Sequence, residues 1–127
     1  MRDPIDVTVL LVEDDKALLK IGERILKNMG YTILAANTPE EALTLAEKHA
    51  DAIRLLLTDL IMPGMNGHEL AAQLKRRNPN LTCVFMSGYP SEIIAHQGVL
   101  ENEIHFIQKP FSKQNLAAIM QKALAGT

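Results

Sequence analysis

Short apolar, β-branched runs alternate along this chain with longer segments of helical period. Residues 7–12 (VTVLLV) form a continuous apolar run, the pattern of a strand covered on both faces. From 16 to 29, apolar residues recur at Leu18, Ile21, Ile25 and Met29, which predicts a helix that Gly30 stops. Residues 31–35 predict a second strand. Thr38-Pro39-Glu40-Glu41 then opens a helix, with Thr38 as cap, Pro39 in the first turn and Glu41 completing a capping box. Residues 53–58 (IRLLLT) predict a third buried strand that ends at Asp59. Residues 63–67 read as loop, and 69–77 as a helix closed by Asn78-Pro79. Residues 81–86 predict a fourth strand, broken by Ser87-Gly88-Tyr89-Pro90, and 91–97 a short helix. Residues 104–107 predict a fifth strand. Ser112 caps a last helix with Leu116, Ile119, Met120 and Leu124 on one face.

Five strand–helix units in this order predict an α/β fold, a doubly wound five-stranded parallel sheet with five helices. A chain of 127 residues fits one domain, spanning 1–127 with a core over about 7–125. A chain of this size buries roughly two-thirds of its unfolded surface, so it needs no disulfide or structural metal. Composition changes little in this picture: 47% hydrophobic and 22% charged residues describe an ordinary globular protein. The net charge of −2 leaves no footprint for nucleic acid or an anionic membrane surface. No run of about 18 apolar residues occurs, so no membrane contact is expected. Cys83 is the single cysteine, which excludes an internal disulfide; inside an apolar strand it reads as a buried structural thiol.

The polar residues fall at the strand ends. Strand one runs out into Glu13-Asp14-Asp15, strand three into Asp59, strand four into Ser87 and strand five into Lys109. In a parallel sheet these ends share one edge, where ligands bind. Crowded carboxylates raise one another's pKa unless a cation neutralises them. Only oxygen ligands are on offer there, so a hard ion such as Mg²⁺ is implied. Taken singly these residues are weak signals: Asp15 is best read as a helix cap, Ser87 as a turn residue and Lys109 as a solvated side chain. His49, His68, His96 and His105 are scattered and read as surface or incidental positions.

The joint pattern resembles the receiver (response-regulator) family over essentially the whole chain. The matching tracts are Leu10-Leu11-Val12-Glu13-Asp14-Asp15, then Thr58-Asp59-Leu60-Ile61-Met62-Pro63-Gly64-Met65-Asn66-Gly67, Phe85-Met86-Ser87-Gly88 and Lys109-Pro110-Phe111. The resemblance implies a flavodoxin-like receiver fold and a phosphoryl group accepted on Asp59 from a histidine kinase or phosphotransfer domain. It implies Mg²⁺ held by Asp14 and Asp59, by Glu13 through water, and by the backbone carbonyl of Ile61. Lys109 would pair with Asp59 or its phosphoryl oxygens, across a cis Lys109-Pro110 bond. Ser87 stands at the switch-hydroxyl position and Phe106 at the switch-aromatic position. Their movement would alter the face formed by the fourth helix, fifth strand and fifth helix. The resemblance also allows a homodimer through that face, though no residue points to one.

As an isolated domain the chain is thus expected to catalyse only its own phosphorylation and dephosphorylation, in the cytoplasm, and not to be an enzyme in its own right. The tracts 85–90, 98–100 and 106–112 are similar to receivers fused to hybrid sensor histidine kinases; a stand-alone single-domain response regulator is the alternative. Ile61 and Tyr89 stand two residues beyond Asp59 and Ser87 and flank the expected path of attacking water, which predicts slow self-dephosphorylation. A hydrolase of the haloacid dehalogenase kind would need a carboxylate where Ile61 stands. A flavin carrier would need hydroxyl and glycine residues, not acids, after strand one. A scaffold-only pseudo-receiver would lack one of the acids or Lys109.

Overall fold

The structure is a computed structural model that describes residues 7–88 and 105–125. The elements run β1 (Thr8–Val12), α1 (Lys16–Asn28), β2 (Thr32–Ala36), α2 (Pro39–His49), β3 (Ile53–Asp59), α3 (Gly67–Arg77), β4 (Thr82–Ser87), β5 (His105–Gln108) and α4 (Lys113–Ala125). The helix predicted over 91–97 lies outside the described residues, which contain four helices. All strand pairings are parallel, in the order β2-β1-β3-β4-β5. Chain order reverses beside β1, so the crevice at the carboxyl ends of β1 and β3 is the switch point of the sheet.

Alternation along the strands sorts the core into two halves. Leu10, Val12, Leu56, Cys83 and Phe85 pack with Ala42 and Ala46 of α2 and Leu70 and Leu74 of α3. Val9, Leu11, Leu55, Leu57, Val84 and Met86 pack with Leu26 of α1 and with Leu116, Met120 and Ala123 of α4. Both faces are covered, as continuous apolar runs require.

Three local readings change. In α1 the residues fully turned to the sheet are Gly22 and Leu26, while Leu18 (43% exposed) and Ile21 (54% exposed) of the predicted apolar row face outward. Gly22 sits close against β1: a Cβ there would meet Leu11 Cδ2 at 3.3 Å. Leu19, Ile25 and Met29 flank Gly22 and Leu26 on the sheet side, so the buried stripe is rotated from the predicted row and shares Ile25 and Met29 with it. Second, α3 begins at Gly67 rather than Glu69, because Asn66 caps it by accepting the Glu69 N–H at 2.8 Å. Third, Thr38 caps α2 as expected, accepting the Glu41 N–H at 3.1 Å, but the Glu41 carboxylate reaches back past the cap to the Asn37 N–H at 2.6 Å.

Candidate functional site

β1 and β3 deliver Glu13, Asp14 and Asp59 to one edge, and the end of β5 delivers Lys109. Glu13 and Asp59 are almost completely buried, whereas Asp14 is exposed at the rim. The Lys109 ammonium donates to Asp59 Oδ1 at 2.6 Å and to Glu13 Oε1 at 3.1 Å. The Asp14 N–H points at Asp59 Oδ2 at 3.3 Å, and the Asp15 N–H donates to Glu13 Oε2 at 3.2 Å. Backbone bonds fix the frame: Lys109 N–H to Ser87 O at 2.6 Å, and Leu60 N–H to Met86 O and Gly67 N–H to Leu60 O at 2.8 Å each. Lys109-Pro110 is cis.

Burial, followed by the hydrogen bond with Glu13, pushes the Asp59 carboxyl up to about 9, with Lys109 pulling the other way. Asp14 is held below the usual carboxylate range chiefly by its hydrogen bond with Asp59. Burial pulls the Lys109 ammonium down, but pairing with Asp59 and Glu13 outweighs this and holds it above its ordinary value. One ammonium thus faces three carboxylates, each offering an oxygen within 4.8 Å of the others. That all-oxygen, undercompensated donor set fits a hard divalent cation.

The sequence-predicted residues divide cleanly. Glu13, Asp14, Asp59 and Lys109 come together. Asp15 stays out, its carboxylate capping α1 through the Ala17 and Leu18 N–H groups at 2.9 and 3.1 Å. Ser87 is buried at the end of β4. Phe106 is half-buried on β5, its ring centroid 5.8 Å from that of Phe85. Ile61, two residues beyond Asp59, is 52% exposed. Cys83 is buried, and that burial pushes its thiol up to about 11, as suits an inert structural cysteine. Tyr89 and His96 lie outside the described residues.

Two features were not foreseen. Asn37 donates from its carboxamide nitrogen to the carbonyls of both Glu13 and Asp14 at 3.0 Å. Its position just beyond a strand end was a usable signal, but its partners were not. The second is an apolar cleft of about 510 Å³ whose lining includes Leu18, Ile21, Ile25 and Phe111 together with Glu13 and Lys109 of the acidic site. Leu18 and Ile21, the outward-facing residues of α1, form part of its wall.

A parallel β2-β1-β3-β4-β5 sheet carrying a buried strand-end aspartate, an acidic pair and a lysine on one edge defines a receiver-type domain. Residues 9–121 match the family described as response regulator receiver domain, and the chain belongs to that family. It is 34% identical over 117 residues to the sensor kinase CckA of Brucella abortus (strain 2308), covering 92% of this chain and 12% of that protein. It is 32% identical to the putative two-component response regulator ARR13 of Arabidopsis thaliana, covering 94% of this chain and 21% of that protein. Among solved structures, the receiver domain of the hybrid histidine kinase CckA superposes with a TM-score of 0.79 at 33% identity, covering 92% of this chain and 98% of that one. A receiver domain protein from Clostridium thermocellum gives 0.84 at 21% identity, a likeness of fold over 94% of this chain and 95% of that one. The chain is a receiver domain of two-component signalling, a family that is not catalytic in itself. No helix among the described residues is long and apolar enough to cross a membrane.

Proposed function

We propose that Asp59 accepts a phosphoryl group from a phosphohistidine of a histidine kinase or phosphotransfer domain, in a site completed by Mg²⁺. The observation that carries this is the Lys109 ammonium 2.6 Å from Asp59 Oδ1, in a crevice where Glu13 and Asp14 stand beside the same carboxylate. Asp14 and Asp59 would hold the ion directly, Glu13 through water and Ile61 through its carbonyl; bound there, it supplies positive charge to the transferring oxygens. An Asp59 carboxylate oxygen bonds to phosphorus as the donor P–N bond breaks, and the bonding pair leaves with the donor imidazole. Lys109 offsets the charge gathered on the acyl phosphate. Phosphoryl transfer asks for little more than this positioning and charge.

The new phosphoryl oxygens then attract the Ser87 hydroxyl, and Phe106 turns inward behind it. That biases two existing states and remodels the face of β5 and α4. Phe106→Ala should leave Asp59 labelling intact and abolish phosphorylation-dependent partner binding. The likeness to CckA supports a module of a hybrid sensor histidine kinase; its proposed place of work is the cytoplasm. The alternative is a stand-alone single-domain response regulator; ARR13 gives it no support, because the chain covers only 21% of that protein.

The deciding experiment is intact-protein mass after incubation with acetyl phosphate and Mg²⁺, wild type beside Asp59→Asn. One added phosphoryl group that requires Mg²⁺ and is lost in the variant is expected. An unlabelled wild type, where a control receiver is labelled, would sink the reading.

A further inference from the structure

Sheet pairing of β1 ends at Val12, opposite Ala36 on one side and Thr58 on the other. The acidic residues follow immediately, so they must be held by something other than the ladder. Their N–H groups are taken up nearby: Glu13 N–H donates to Ala36 O at 3.1 Å, while those of Asp14 and Asp15 face Asp59 and Glu13 carboxylate oxygens. The carbonyls of Glu13 and Asp14 accept from one group, the carboxamide nitrogen of Asn37, at 3.0 Å each. Only an amide presents two donors from a single nitrogen at this length of side chain; an aspartate of the same shape has none. Asn37 is itself anchored, because its N–H donates to the Glu41 carboxylate at 2.6 Å in the first turn of α2.

We propose that Asn37 is a positioning residue of the acidic site, a clamp from the start of α2 that fixes where the Glu13 and Asp14 carboxylates stand relative to Asp59. This rests on the reading of that site as a Mg²⁺-dependent phospho-acceptor. Carboxylates crowded within 4.8 Å of one another repel, and without the clamp the turn after β1 spreads. Groups that orient metal ligands through hydrogen bonds typically set affinity by about 10- to 100-fold. Asn37 donates to backbone carbonyls and to no carboxylate oxygen of the site, so its effect falls on cation affinity first and on labelling rate only through it.

The test is a calorimetric Mg²⁺ titration of wild type, Asn37→Ala and Thr38→Ala, beside thermal unfolding and amide exchange in metal-free buffer. Thr38→Ala removes the cap of the same helix without touching the acidic turn, and so controls for a merely structural role. Asn37→Ala is expected to raise the Mg²⁺ dissociation constant about tenfold. It should also speed exchange of the Asp14 and Asp15 amides, and recover labelling by acetyl phosphate at saturating Mg²⁺. Thr38→Ala should lose thermal stability and keep the wild-type dissociation constant. A folded Asn37→Ala within about twofold of wild type, or a Thr38→Ala that weakens Mg²⁺ equally, overturns the clamp. Should Asn37→Ala not fold, Glu41→Ala, which releases only the anchor of Asn37, must raise the constant, and an unchanged value overturns the clamp. A wild type that binds no Mg²⁺ removes the reading of the site as well, so the two failures are distinct.

Discussion

Gly67→Ala tests whether α3 and the end of β3 are seated on each other by direct backbone contact. A Cβ built on Gly67 would lie 2.2 Å from the Asp59 carbonyl oxygen, 3.1 Å from its carbon and 3.2 Å from Leu60 Cα. All three are backbone atoms, so no side chain can swing aside. Reaching an ordinary carbon–oxygen distance requires the helix start and the strand end to part by about 1 Å. That movement strains the Gly67 N–H to Leu60 O bond, now 2.8 Å. Overpacking of this kind costs about 1–3 kcal/mol, and a weakened hydrogen bond adds about 1 kcal/mol. Alanine offsets roughly 0.4–1 kcal/mol by restricting the unfolded chain. The net is about 2 kcal/mol, a fall in melting temperature of about 8 °C for a domain of this size.

The displaced residue is Asp59, the proposed acceptor, and a 1 Å misplacement of a reacting group costs up to about 100-fold. Labelling by acetyl phosphate, followed by intact mass, should therefore slow at least about tenfold at temperatures where the variant is folded. Two other glycines separate the causes. Gly88 has nothing among the described residues within 4 Å of a built Cβ, so Gly88→Ala should change stability by no more than about 0.5 kcal/mol. Gly64 also has open space but sits at φ +86°, so Gly64→Ala should cost about 1 kcal/mol through backbone strain and leave the labelling rate unchanged. A Gly67→Ala protein as stable and as quickly labelled as wild type would refute the reasoning.

Asp59→Asn should stabilise the metal-free domain, increasingly as pH rises. The folded-state pKa of Asp59 is raised to about 9, so its contribution to wild-type stability is complete below the ordinary aspartate value and is lost as pH climbs through 9. The advantage of the variant should widen across that window by at most about 1.4 kcal/mol per pH unit in chemical unfolding, and a gap that stays flat or narrows would contradict the burial argument. Ile61→Asn replaces a half-exposed aliphatic side chain at the site with a group able to orient water. The phosphoryl lifetime should shorten several-fold by time-resolved mass measurement, and an equal or longer lifetime would count against Ile61 as a barrier.

The alternation of runs and helical segments was enough to specify the sheet, because a parallel strand buried on both faces leaves an unbroken apolar signature. Glu13, Asp14, Asp59 and Lys109 were legible for a related reason: polar residues that end such runs must meet at one edge. What pattern reading missed were contacts made by the absence of a side chain or by a neutral amide. Gly22 carries no hydrophobic weight, yet it is one of the two buried residues of α1, while Leu18 and Ile21 are exposed and line the cleft. Gly67 looked like a loop residue and is the first residue of α3, pressed against the Asp59 carbonyl. Asn37 falls between a strand and a cap where any turn residue would be unremarked, and only its two carbonyl partners reveal that the β2–α2 turn holds the acidic one. Periodicity weighs side chains by polarity, whereas these three act through how closely backbones approach and which carbonyls they satisfy. The residues that bear the charge were therefore readable from sequence, and those that fix its geometry needed coordinates.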